Sequence, residues 1–215
     1  MCIIANVLSL GQASEGSFQE HYKRLIDSLL AQHAPLHAIG IQAHEPNKGA
    51  YWFSPEEIWE SCELFGTQTG RPIYFTEFCY TSDPAADIRG KYRQVKWSPE
   101  KQGEAIEEFY RVAFGHPAVA GIVYFGMGDD DPLWLPKQGL LDESFQPKPA
   151  WERLKRLIKE EWNTRQSGSA DAEGAYAFRG FFGQYEVCVT AAGKHQTFNA
   201  HLEQGKPNVW SFILD

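Results

Sequence analysis

Four apolar segments recur along the first three quarters of the chain, each followed by a stretch of helical period, and that alternation sets the expected fold. Cys2–Leu8 is an apolar run of strand length. After a Gly/Ser-rich turn comes Ser17, with Glu20 three residues on, the pairing of a capping box. Phe18, Tyr22, Leu25, Ile26, Leu29 and Leu30 then repeat at helical spacing. The second unit joins the strand His37–Gln42 to a helix opened by Ser54, Pro55 and Glu57, running to about Thr69 and stopped by Gly70. The third joins the strand Ile73–Phe78 to a helix opened by Ser98 and Pro99, with Ile106, Phe109, Tyr110 and Ala113 on one face. The fourth runs from Val119–Phe125 through a long loop to a helix from Pro149, with Trp151, Leu154, Leu157 and Ile158 expected inward. Four such units in succession predict parallel strands, adjacent in chain order, because parallel neighbours need a crossover connection.

The texture changes after Trp162. Residues 163–174 (NTRQSGSADAEG) are small and polar, the composition of a linker or edge loop. Beyond them the pattern alternates with period two, as at Tyr185, Val187 and Val189. The expected division is a strand-helix unit over 1–163, a linker over 164–175, and an antiparallel β module over 176–215. At least three strands are expected in that module, including Tyr176–Phe182 and Val209–Leu214.

Composition narrows the function. A net charge of −8 without a Lys/Arg cluster argues against nucleic acid, whose phosphates need neutralising, and against an acidic membrane surface. No apolar run approaches the roughly 20 residues that span a bilayer, and the opening MCIIANVLSL lacks the charged start of a signal peptide. Cys2, Cys62, Cys79 and Cys188 are scattered, so neither a metal site nor a disulfide framework is indicated, and no cofactor is expected. Aromatic residues make up 14% of the chain, enough to fill a core and also what a sugar-binding cleft uses, since a ring face packs on a pyranose.

The stretch RPIYFTEFCY (Arg71–Tyr80) concentrates the candidate chemistry: a buried strand delivers Glu77 at its carboxyl end. Four motifs carry a resemblance from His37 to about Leu157: IGIQAH (Ile39–His44), TGRPIYFTEF (Thr69–Phe78), GIVYFGMGDDDPLWL (Gly121–Leu135) and LLDESFQPKPAWERL (Leu140–Leu154). In order and spacing they resemble the second half of family-ten glycoside hydrolases, the retaining β-1,4-xylanases built on an eight-fold βα barrel. The resemblance implies an α/β fold, half of a TIM barrel followed by the small β module. It implies Glu77 as nucleophile, His44 as the residue orienting it, and Gln42, Trp134 and Phe125 as residues facing the sugar. It also implies a polysaccharide or oligosaccharide partner and a secreted or periplasmic setting.

Two places depart from the family pattern. Cys79 stands where the family has an Asp that helps hold the His, and Phe125 stands where a Trp is common. A larger departure concerns the second carboxyl group that retaining hydrolysis requires. In the family it follows an Asn at the end of the fourth barrel strand, and no Asn-Glu pair occurs in this sequence. Glu45 and the run Asp129, Asp130, Asp131 are the other acidic residues near strand ends, the run being expected to face solvent. The expectation is a hydrolase half-site completed by a missing barrel half or by a homodimer partner. The alternative is a non-catalytic carbohydrate-binding or interaction protein derived from a glycosidase.

Overall fold

The computed structural model describes residues 4–7, 18–43, 49–89, 92–93, 95–130 and 135–214. The chain divides into two compact units, Met1–Lys155 and Arg156–Asp215. In the first, β1 (Ile4–Val7), β2 (Ala38–Ala43), β4 (Ile73–Phe78) and β6 (Val119–Tyr124) form one sheet in the order β1-β2-β4-β6. All three pairings are parallel, as the strand-helix alternation predicts. The connections contain α1 (Phe18–Ala31), α2 (Pro55–Cys62, prolonged by a π-helical turn to Thr67) and α3 (Pro99–Gly115); α4 (Pro149–Arg156) follows β6. Two short strands that the sequence pattern did not reveal, β3 (Gly49–Tyr51) and β5 (Asp87–Arg89), pair in parallel. They join the segments that follow β2 and β4.

The helix starts follow from local chemistry. Ser54 accepts a hydrogen bond from the Glu57 N–H, and the Glu57 carboxylate accepts one back from the Ser54 N–H. Two of the donors at the α2 amino end are thereby satisfied. At α3, Ser98 Oγ accepts from the Lys101 N–H with Pro99 at the first helical position, where a missing N–H costs nothing. The proposed cap at Ser17 lies outside the described residues.

The core lies between the sheet and its helices. Ile39, Ile41, Ile73, Phe75 and Phe78 are fully buried, as are Ile58, Phe65, Ile106 and Phe109 from the helical layer. Phe78 stacks on Phe109 at 3.8 Å between centroids, and Phe75 meets the same ring edge-on at 5.0 Å. Near the carboxyl ends of the strands, Trp52, Trp97, Tyr80 and Phe53 continue this aromatic layer. Trp52, Phe53, Tyr80 and Trp97 are nearly inaccessible, so much of the aromatic surplus goes into packing rather than a cleft. The opposite face of the sheet is different: Tyr74 is 38% and Val123 55% exposed.

Three expectations are corrected. Leu25 of α1 is largely exposed, because Tyr22, Ile26 and the flanking residues already fill the stripe that faces the sheet. Ile158 is exposed rather than inward, since a π-helical turn over Leu157–Glu161 adds a residue and rotates it away from the line of Leu154. The C-terminal unit holds one antiparallel ribbon, β7 (Gly183–Ala191) with β8 (Lys194–Leu202), not three or more strands. Tyr176–Phe182 and Val209–Leu214 form no ladder. Near them side chains take up backbone groups instead: Thr164 Oγ1 accepts from the Phe181 N–H, and Tyr185 donates to the Phe181 carbonyl. Asn208 bonds both the N–H and the carbonyl of Glu203. The period-two pattern there reflects ring packing, as between Phe198 and Phe212 at 4.7 Å.

Candidate active site

Glu77 owes its position to one extra residue in β4. On β2, Ile41 pairs with Phe75 and the next residue, Gln42, pairs with Glu77, so Thr76 is a bulge. The pairing with β6 shifts by the same residue: Ile122 meets Phe75 and Tyr124 meets Phe78. Phe75 and Phe78, three apart, therefore both reach Phe109 on the helical side, which strict alternation forbids. Glu77 turns away from that layer, and Gln42 Nε2 donates to its Oε1 at 2.9 Å. The amide fixes one oxygen of a half-buried carboxylate without adding charge.

Beyond β4 the chain is held by a polar clamp. The segment Pro136–Gly139, part of the loop between β6 and α4, offers four successive carbonyls, and all four are taken. Thr81 Oγ1 donates to the Pro136 carbonyl at 2.5 Å, and both the N–H and Oγ of Ser82 donate to Lys137. Tyr124 Oη donates to Gln138 at 2.7 Å. Gln102 Nε2, fully buried on α3, donates to Tyr80 at 2.7 Å and lies 3.2–3.3 Å from the carbonyls of Lys137, Gln138 and Gly139.

Asp129 is not solvated, contrary to expectation. Its carboxylate accepts from Lys148 Nζ at 2.9 Å and from the Gly139 N–H at 2.7 Å, and the two side chains are 3% and 6% exposed. A loop that folds back on itself buries both charges together. Burial pulls the Lys148 pKa down, and the bonded Asp129 opposes that shift. Asp130 is exposed as expected.

Of the five residues singled out by sequence, the fold brings Gln42 and Glu77 into contact and sets Phe125 at the end of the neighbouring strand, its N–H donating to the Phe78 carbonyl. His44 and Trp134 lie outside the described residues, as do Glu45 and Asp131. Cys79 is buried and its thiol donates to Gln138 Oε1 at 3.7 Å; burial, reinforced by the charge of Glu77, pushes its pKa up to about 12. It is thus a neutral group where the family has an acid. Sequence reading missed Gln102, Tyr124 and Lys148. Gln102 could have been found as a polar residue in line with Ile106, Phe109 and Ala113 on the apolar stripe of α3.

Among the described residues no group of three or more His, Cys, Asp or Glu side chains could hold a metal ion, and no helix is long and apolar enough to cross a membrane. Cys62, Cys79 and Cys188 are free thiols.

Comparison with known proteins agrees with the fold. The model for Glycosyl hydrolase family 10 matches residues 12–157. The anti-sigma-I factor RsgI6 of Acetivibrio thermocellus is 32% identical over 116 residues, which cover 54% of this chain and 15% of that protein. Endo-1,4-beta-xylanase 3 of Arabidopsis thaliana is 29% identical over 187 residues, 85% of this chain and 22% of that one. Among solved structures, native xylanase 10B from Thermotoga maritima superposes with a TM-score of 0.55 at 22% identity, covering 74% of this chain and 47% of that one. The chain thus spans about half of a solved xylanase and less than a quarter of either curated relative. The four parallel strands with their helices are half of a (β/α)8 barrel, followed by a small antiparallel ribbon.

Proposed function

The chain belongs to glycosyl hydrolase family 10, and on that premise we propose that it carries the nucleophile half of a retaining, xylanase-type active site acting on β-1,4-linked polysaccharide. The supporting observation is the Gln42–Glu77 pair at 2.9 Å, set by the β4 bulge at the carboxyl end of the sheet, where βα barrels keep their catalysts. Glu77 attacks the anomeric carbon, forming a covalent glycosyl-enzyme, while Gln42 orients its carboxylate. His44 is assigned a second orienting bond, and Trp134 and Phe125 the sugar-facing surface. Burial keeps Cys79 protonated, so the position where the family has an Asp carries no anion here.

Retaining hydrolysis needs a second carboxyl group about 5–5.5 Å from the first, acting as acid and then base. We assign that group to a further set of four strand-helix units that completes the barrel, whether in the same polypeptide or another. General acid catalysis contributes about 10²–10⁴-fold and matters most for a sugar leaving group. Residues 1–215 alone should therefore be nearly inert on xylan, yet transfer slowly from an aryl β-xyloside whose leaving group needs no proton. Glu77→Gln should abolish that transfer, and adding the complementary half should restore xylan cleavage. Brisk xylan cleavage by 1–215 alone, or an aryl-xyloside rate indifferent to Glu77→Gln, would show that a different carboxylate is responsible. A second reading, a sugar-recognising domain without catalysis, draws on the match to an anti-sigma factor. It predicts xylo-oligosaccharide binding with no turnover even in the completed barrel.

A further inference from the structure

We propose that Gln102 is a positioning residue of this site, setting the loop that follows β6 against the end of the strand that carries Glu77 and thereby governing how tightly sugar is held. The inference rests on the proposed function and deepens it. Gln102 touches no candidate catalytic group. Its amide sits on the otherwise apolar stripe of α3, where Ile106, Phe109 and Ala113 are all buried, and a Leu or Met would fill the same space.

The arrangement is unfavourable as a purely structural device. The two protons of Nε2 are shared among four carbonyls, and Gln102 Oε1 is buried with no partner, which is unfavourable relative to a satisfied group. What the amide achieves is geometric. One side of the contact is the Tyr80 carbonyl, three residues beyond Glu77; the other three carbonyls belong to Lys137, Gln138 and Gly139 of the loop. Thr81 and Ser82 repeat the tie from the segment after β4 to Pro136 and Lys137, and Tyr124 makes one from β6 to Gln138. Lys148 holds Lys137 and Asp129 from behind. The Gln102 amide thus joins the end of the strand that carries Glu77 to the loop directly, beside these other ties. A positioning amide of this kind acts on the width of the sugar site and leaves Glu77 itself untouched.

The test compares wild type, Gln102→Met and Tyr124→Phe in the barrel completed as above. An activated aryl 2-deoxy-2-fluoro-β-xylobioside gives Ki and kinact for labelling of Glu77, and calorimetry gives xylotetraose affinity. The expected result is a Ki and a Kd raised at least tenfold in Gln102→Met and a few-fold in Tyr124→Phe, with kinact within threefold of wild type. Unchanged Ki and Kd beside a lowered melting temperature would reduce Gln102 to a structural residue and overturn the proposal. So would a kinact that falls as far as the affinity. Should Gln102→Met not fold, Tyr124→Phe decides, and equal affinity there overturns the proposal. If wild type binds xylotetraose but is not labelled at Glu77, the nucleophile assignment fails while the affinity ratio still decides the role of Gln102. Absence of any sugar binding by wild type overturns both.

Discussion

The two faces of the four-stranded sheet are made from the same strands and have opposite fates. On one, Ile73, Phe75 and Phe78 are sealed under α3 by stacked rings; on the other, Tyr74 and Val123 stand partly open. Parallel sheets are normally covered on both sides. The first face is thus a finished protein interior, and the second leaves the large side chains of Tyr74 and Val123 partly in solvent. Glu77 and Gln42 belong to this second face. The difference teaches that packing and the proposed chemistry are separated across one layer of backbone: substitutions on the helical side test folding, and those on the open side test the proposed site.

The largest expected effect comes from the sealed face. Phe78→Ala removes a fully buried ring that touches Phe109, Tyr80, Tyr110 and Tyr124, and should cost about 3–5 kcal/mol in denaturant unfolding. A loss below 1 kcal/mol would mean that this face is not the core. Next is the buried ion pair of the loop. Lys148→Met strands the Asp129 charge and should destabilise by about 3 kcal/mol, while adding Asp129→Asn should recover most of that loss, because a buried pair is costlier to halve than to replace. A double variant no better than the single one would show that the pair itself is the source of stability.

The open face supplies the contrast. Val123→Thr should change the stability of 1–215 by no more than about 0.5 kcal/mol, as exposed positions do. In the completed barrel the same hydroxyl enters an interior and should cost about 1–3 kcal/mol. Equal effects in the two settings would contradict the assignment of this face.

A further effect is in pH dependence and comes from two buried thiols. Burial raises the thiols of Cys62 and Cys79 from 9.0 to about 12. Unfolded thiols lose their protons from about pH 8.5, whereas the folded ones keep theirs, so the native state binds more protons between those limits. Their contribution is complete below that window and is lost as pH rises toward 12. Melting temperatures between pH 8 and 10.5 should fall less steeply in Cys62→Ala/Cys79→Ala than in wild type, and parallel slopes would refute the assignment.

What could be read from sequence follows from the range of the forces involved. The four main strands and their helix starts are local: apolar runs such as Ile73–Phe75 and caps such as Ser54 declare themselves within a few residues. Glu77 was legible because it ends such a run. The bulge at Thr76 was not, since it arises from Phe75 and Phe78 competing for one ring on α3, which no local pattern records. Tyr176–Phe182 misled for the converse reason: its alternation is real, but Thr164 and Tyr185 capture the backbone at Phe181 that a ladder would need. Asp129 was read as solvated because its partner lies 19 residues away in the fold-back of the loop.

The one-residue bulge in β4 also decides which kinds of change this site tolerates in evolution or in design. Conservative replacements along Ile73–Phe78 leave the count of residues intact, and with it the side of the sheet on which the carboxylate emerges. Thr76 is the extra residue, so deleting it would restore strict alternation with Glu77 still opposite Gln42 and Phe78 still opposite Ala43. Pairing Thr76 into the ladder would instead turn Glu77 toward the aromatic layer and Phe78 toward water. Straightening the bulge in that way keeps Gln42 and Glu77 in the sequence and still separates them. The side of the sheet on which Glu77 emerges is set as much by the number of residues that pair as by their identity.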